Sequence, residues 1–259
     1  MALLKTYRQD MVDIYVYDTN ENMGVAAADA IEKTIHKLLS EKSEISIIVC
    51  AGPSQFSTYE ALKAKKTIDW TRINMFHLDE VIGLSADDPT NLKNHIEYWF
   101  SKDLPFKNKF FLDTSARDLH AECRRYSKLL KEYHPEIVML GIGVDGHLAL
   151  NEPGISPFDD PETVKVVKMD ERTRRQSMSP GGGMKAPVAG HEFGMTITLP
   201  VLMKPKYKFC IVPYSEKEES AYNAMFGSID ERCPASIVRT QQNVMAFFDK
   251  ESAARFPKN

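Results

Sequence analysis

The segment Gly141 to Pro153, GIGVDGHLALNEP, concentrates residue types that move protons: Asp145, His147 and Glu152 share one glycine-rich stretch. A histidine flanked by carboxylates can be held in one tautomer with its pKa near neutrality, which suits a general acid or base. The first six residues also satisfy the GxGxxG pattern of dinucleotide binding. That match fails on context. A dinucleotide site needs a helix after the last glycine and an acidic strand end about 20 residues on, whereas Pro153 and Gly154 interrupt at once. The glycines are read instead as letting the backbone approach a ligand closely. Zinc-ligand histidine spacing and a GxSxG nucleophile elbow are both missing from the sequence. The expected chemistry is therefore acid–base, and not that of a metal or a serine nucleophile.

Two further constellations stand out. Asp79-Glu80 follows an apolar run, which makes Asp79 a candidate proton carrier and leaves Glu80 a structural part. Gly52-Pro53-Ser54 leads into a helix opening near Ser57-Thr58, so backbone N–H groups and hydroxyls there can meet an anion. Lys217, near the start of another expected helix, adds a point charge. No Lys-Ser or Lys-Thr follows the glycine as in a nucleotide P-loop, so a monophosphate fits better than a nucleotide.

The elements that must position these residues alternate. Apolar spacing predicts helices over Asn22 to Ser40 (capped by Asn20 or Asn22), Ser57 to Lys65, Thr90 to Phe100, Ala116 to Tyr133 and Ser215 to Phe226. Runs rich in β-branched residues predict strands at Ile45 to Val49, Ile73 to Leu78, Ile137 to Leu140, Val164 to Val167, Met195 to Leu199, Tyr207 to Val212 and Val244 to Phe248. This alternation predicts an α/β fold: one domain over residues 1–259, an open and mostly parallel sheet with helices on both faces, Rossmann-like. In such sheets ligands bind where the strands end, and all three constellations follow predicted strands. The stretch Ser177 to Gly190, with three consecutive glycines, reads as a loop of lid length within a mobile region around 170–190.

Composition narrows the function classes. The 259 residues are 43% hydrophobic and 27% charged, enough for a large core, and no apolar run has the length of a membrane span. Net charge is −3, with neither sign gathered into a block, so neither nucleic acid nor membrane is an expected partner. Cys50, Cys123, Cys210 and Cys233 are widely spaced and read as reduced thiols, mostly core filler, of a cytoplasmic protein.

GIGVDGHLALNEP, together with HLDEVIGL around Asp79, resembles the glucosamine-6-phosphate deaminase/isomerase family, which shares an α/β superfamily with the 6-phosphogluconolactonases. The resemblance runs from about Asn22 to Phe248. Asn151-Glu152-Pro153 is its discriminating part, since the lactonases share only the Gly-Asp-Gly-His portion. It implies a cofactor-independent ring opening, aldose–ketose isomerisation and loss of ammonia from a hexosamine 6-phosphate, glucosamine or galactosamine. Asp79 matches the base that moves a proton from C2 to C1, His147 the group that assists ring opening, and Asp145 and Glu152 the carboxylates that orient it. Lys217 matches a phosphate lysine, and Gly52 and Ser54 the phosphate loop. A 6-phosphogluconolactonase-like hydrolase and a non-catalytic phosphosugar sensor are the alternatives, and a homo-oligomer is admitted. Two departures stand out. The family's Gly-Gly-Thr or Gly-Gly-Ser is here Gly52-Pro53-Ser54, and its phosphate arginine falls near Ser177 or Ser179, leaving Arg172, Arg174, Arg175 or Lys185 as replacements.

Overall fold

A hairpin that the periodicity reading passed over opens the chain: β1 (Leu3–Gln9) pairs antiparallel with β2 (Val12–Tyr17). Its signals were Asp10, which turns the chain at φ 49°, and the alternation of Val12, Ile14 and Val16, all buried. The computed structural model describes residues 2–88, 90–176 and 191–258. Most of the expected lid, Ser177 to Gly190 with Lys185, lies outside them.

After the hairpin come α1 (Asn20–Glu41), β3 (Ile45–Val49), α2 (Phe56–Ala64), β4 (Ile73–His77), β5 (Asp79–Val81), α3 (Leu92–Ile96), β6 (Asn108–Phe110), α4 (Leu119–Tyr133) and β7 (Ile137–Leu140). Then follow β8 (Val164–Lys168), α5 (Glu171–Gln176), β9 (Phe193–Ile197), α6 (Leu199–Leu202), β10 (Tyr207–Val212), α7 (Glu218–Phe226) and β11 (Val244–Asp249). Thr19, not Asn20 or Asn22, caps α1, its hydroxyl accepting from the Asn22 N–H. The helix expected over Thr90 to Phe100 is shorter than its pattern: α3 gives way to a π turn over Glu97–Ser101. Likewise α4 starts only at Leu119, capped by Asp118.

Among the described residues, eight strands form the main sheet in the order β1-β2-β11-β10-β7-β3-β4-β6, parallel throughout except for the hairpin. From β3 the chain steps outward through β4 to β6; from β7 it steps the other way through β10 to β11. The β3/β7 boundary is thus the topological switch point, where a crevice opens beyond the carboxyl ends of the strands. Alternate residues supply two cores. Ile48, Val138, Leu140, Cys210 and Val212 pack with α4 and α7 on one face. On the other, Ile47, Val49, Ile137, Met139, Phe209 and Ile211 pack with α1 and α2. Helices therefore cover both faces, as the nearly continuous apolar strands require.

One expectation needs correction. The runs near Val164 and Met195 do not join this sheet; β8 and β9 pair antiparallel with each other and, through β9, with β5 in a separate three-stranded sheet. Asp79 is therefore a strand residue in register with Thr196, not part of a loop. Among the described residues no helix is long and apolar enough to cross a membrane.

Candidate active site

The carboxyl ends of β3, β4, β7 and β10 converge on a cleft of about 940 Å³, its open mouth included. Asp79, His147, Gly52, Ser54 and Lys217 all line it. Asp145 and Glu152 do not: both stand behind His147.

Asp79 and Glu80 are both buried, at 7% and 1% exposure, and divide the work that a solvated pair would share. Glu80 turns away from the cleft and accepts the N–H groups of Val81, Leu92 and Lys93 at 2.8–2.9 Å, which anchors the start of α3. Asp79 faces the cleft. Burial, reinforced by the like charge of Glu80 and opposed by His147, pushes its carboxyl up to about 7.

His147 is fixed from behind. Its Nδ1 lies 2.8 Å from Asp145 Oδ1 and 3.1 Å from the Thr173 hydroxyl, which donates to Glu152 Oε2 at 2.8 Å. A hydroxyl has one proton. With that proton given to Glu152, Thr173 can only accept from Nδ1–H, as Asp145 does, so in the neutral form of the ring the unprotonated nitrogen is Nε2. Burial alone would raise Asp145, but hydrogen bonding and the charge of His147 overcome it and hold the carboxyl at about 2. Burial raises Glu152, against the pull of His147 and Thr173. Asn151 stitches this segment to β9 by donating to the carbonyls of Leu148 and Ile197.

Gly141 and Gly143 line the cleft, and Gly143 has a second role that the sequence did not suggest. A Cβ there would lie 2.2–2.4 Å from three atoms of the His147 ring, so its hydrogen makes room for the histidine. Gly146 sits at φ 92° with Cys233 beside it. Gly141 has ordinary contacts only.

The residues expected to hold an anion lie in two turns that both line the cleft. Gly52 (φ 113°) precedes a 3-10 turn, Pro53–Gln55, that carries Ser54 ahead of α2. Tyr214 precedes another, Ser215–Lys217, ahead of α7. Lys217 thus belongs to a 3-10 turn rather than the expected helix; it is 2% exposed, and burial lowers its ammonium to about 8. Tyr214 takes φ 79°, ψ 143°, a conformation that costs a non-glycine residue on the order of 1–3 kcal/mol.

Sequence reasoning missed Thr173 and the role of Tyr214, both of which depend on partners far along the chain. Among the cations offered as a replacement for the phosphate arginine, Arg174 lines the cleft, while the side chains of Arg172 and Arg175, like Lys185, lie outside the described residues. Cys50 packs against the core and also lines the cleft, with burial pushing its thiol up to about 12, which keeps it unreactive. One atom each of Asp145, His147 and Glu152 lie within 4.8 Å of one another, a spacing that suits a metal ion. Here those groups engage one another and Thr173, an arrangement that also serves proton transfer without a metal.

This chain is 28% identical over 241 residues to a glucosamine-6-phosphate deaminase of Bacillus cereus (strain B4264), covering 93% of this chain and 88% of that protein. A solved structure described as a monomeric glucosamine-6-phosphate deaminase superposes with a TM-score of 0.80 at 26% identity, covering 93% of this chain and 98% of the other. The 6-phosphogluconolactonase of Trypanosoma brucei shares the fold, with a TM-score of 0.76 at 22% identity over 94% of this chain and 98% of that one. The family described as glucosamine-6-phosphate isomerases/6-phosphogluconolactonase matches residues 18–247. With the match spanning nearly the whole fold and every element around the cleft, the chain belongs to the glucosamine-6-phosphate isomerase/6-phosphogluconolactonase family.

Proposed function

We propose that the protein is a cytoplasmic aminosugar-6-phosphate deaminase/isomerase that converts glucosamine 6-phosphate and water to the 2-ketose 6-phosphate and ammonia. The observation that carries this reading is a buried carboxyl with a pKa near 7, Asp79, in one cleft with a histidine whose tautomer is set from behind. Removing a proton alpha to a carbonyl calls for such a desolvated base. Deaminase relatives at 28% and 26% identity support the same choice.

Lys217, Ser54 and the N–H groups of the two turns hold the phosphate. Nε2 of His147 takes the proton of the anomeric hydroxyl and returns it to the ring oxygen; the bond from C1 to that oxygen breaks and C1 becomes an aldehyde. Asp145 and Glu152 stabilise the transient imidazolium. Asp79 then removes the C2 proton while the aldehyde oxygen takes a proton from the C2 ammonium, giving an enolamine; the protonated Asp79 delivers its proton to C1, leaving an iminium at C2. Water adds to the iminium and ammonia leaves. Glu152 favours this reading over lactone hydrolysis, because through Thr173 it is part of the support of His147.

The direct test is ammonia release from glucosamine 6-phosphate and galactosamine 6-phosphate, with 6-phosphogluconolactone hydrolysis followed in parallel. Ammonia from either amino sugar is the expected result. Lactone hydrolysis without ammonia would assign the chain to the other activity, and binding without turnover would make it a sensor.

The pH profile has a defined sign. Asp79 must be ionised to accept a proton, so kcat/KM should rise through about pH 7. Lys217 must be protonated to hold the phosphate, so kcat/KM should fall as pH passes through about 8. A Lys217→Met variant should lose the alkaline limb along with most of its affinity. A wild-type profile that stays flat from pH 6 to 9 would contradict both assignments.

A further inference from the structure

The two turns that line the cleft are built alike, and one residue breaks the likeness. Beyond β3 the chain reaches Gly52, whose carbonyl accepts the Gln55 N–H at 3.1 Å to close a 3-10 turn before α2. Beyond β10 it reaches Pro213 and Tyr214, and the Tyr214 carbonyl accepts the Lys217 N–H at 3.1 Å to close the matching turn before α7. Gly52 and Tyr214 thus hold equivalent places, both at positive φ. Glycine adopts that backbone freely; tyrosine does so only where its surroundings enforce it.

The surroundings of Tyr214 reach across to the other turn. Its N–H donates to the buried carboxylate of Asp249 at 3.0 Å. Its hydroxyl donates to the Pro53 carbonyl at 3.3 Å and accepts from Asn20 Nδ2 at 3.3 Å. Asn20 Oδ1 in turn accepts from the Ser57 hydroxyl on α2 at 2.9 Å. One side chain therefore spans from the turn bearing Lys217 to the turn bearing Ser54. Pro53 has no N–H to offer an anion, so the turn that loses a donor is also the one that Tyr214 braces.

We propose that Tyr214 is a positioning residue for the substrate's phosphate: its hydroxyl sets the separation of the Ser54 and Lys217 turns to fit a phosphomonoester. This rests on the phosphate site of the proposed function, and it assigns Tyr214 no contact with the reacting carbons. Losing the brace should weaken phosphate binding in ground state and transition state alike, which raises KM and leaves kcat.

The test is Tyr214→Phe, which keeps the ring and removes only the hydroxyl. The expected result is a KM for the hexosamine 6-phosphate raised roughly five- to tenfold, the scale of one lost hydrogen bond, with kcat and melting temperature close to wild type. The dissociation constant of inorganic phosphate, measured by calorimetry, should rise by a similar factor. Asn20→Ala should act in the same direction, and the double variant should be little worse than either single one, since both break the same brace. Unchanged KM and phosphate affinity in Tyr214→Phe would overturn the proposal, as would a parallel drop in kcat and melting temperature, the mark of a merely structural residue. Wild-type protein that binds no inorganic phosphate would overturn the phosphate site itself, a distinct failure that takes this inference with it.

Discussion

Asp79→Asn will lower kcat/KM by roughly a thousandfold or more and will, in the same protein, raise the melting temperature at pH 8. The two effects share one cause. An amide cannot accept the C2 proton, so isomerisation and ammonia release both stop, whereas substrate binding, which depends on the phosphate turns, persists. The stability gain follows from linkage. The carboxyl moves from an ordinary value of 3.8 to about 7 on folding, so the folded state favours its neutral form. Stability tied to that neutral form is fully present below about pH 4 and is lost as pH rises through about 7. At pH 8 the ionised carboxylate therefore costs up to roughly 4 kcal/mol, at 1.36 kcal/mol per pKa unit. The neutral asparagine escapes that cost, and the gap between the two melting curves should close at low pH. A variant that retains activity removes Asp79 from the mechanism; a melting temperature that falls at pH 8 contradicts the raised pKa. Glu80 is the contrasting neighbour, because its carboxylate is already committed to three backbone N–H groups.

Gly143→Ala should cost on the order of a hundredfold in kcat or more, the scale of a catalytic group displaced by about 1 Å. One methyl suffices. Its carbon would lie 2.2 Å from Cε1, 2.3 Å from Nδ1 and 2.4 Å from Nε2 of His147, so the ring must leave its place against Asp145 and Thr173. Gly143 does not occupy the left-handed region, so the backbone tolerates alanine and the damage stays with the ring. The neighbouring glycines make internal controls. Gly141→Ala meets nothing closer than 3.7 Å and should leave His147 in place. Gly146→Ala carries φ 92° and a sulfur 2.8 Å away, so it should mainly lower the melting temperature. Near-wild-type kcat in Gly143→Ala, with the histidine pKa unchanged by NMR, would refute the steric account.

The three glycines of Gly141 to Gly146 illustrate how far the sequence could be read. Their spacing raised a dinucleotide site, and the proline that follows removed it, both by local rules. That Gly143 serves a histidine four residues on was not legible, since the packing of a ring against a backbone is invisible to a pattern. The rule that ligands gather at strand ends placed Gly52, Ser54, Asp79, His147 and Lys217 on one cleft, where the structure has them. It could not distinguish Asp145 and Glu152, which stand behind. Nor could it supply Thr173, which lies 21 and 26 residues from the two groups it joins, or the role of Tyr214, which meets Pro53 across 161 residues. β8 and β9 were expected as strands, but their separate sheet was not, for a related reason: a short buried run looks the same whether it joins a parallel sheet or a separate antiparallel one.

The sequence by itself determined the α/β class, the strand ends that converge on the cleft and the titratable residue types gathered there. Each of these depends on residue type and short-range period, which are properties of a few neighbouring residues. Tertiary structure alone decided that Asp79 sits near 7, that Lys217 sits near 8, and that His147 keeps its proton on Nδ1. Those are set by how much water is removed and by which charges and hydroxyls arrive from distant segments, and neither is defined until the chain has folded.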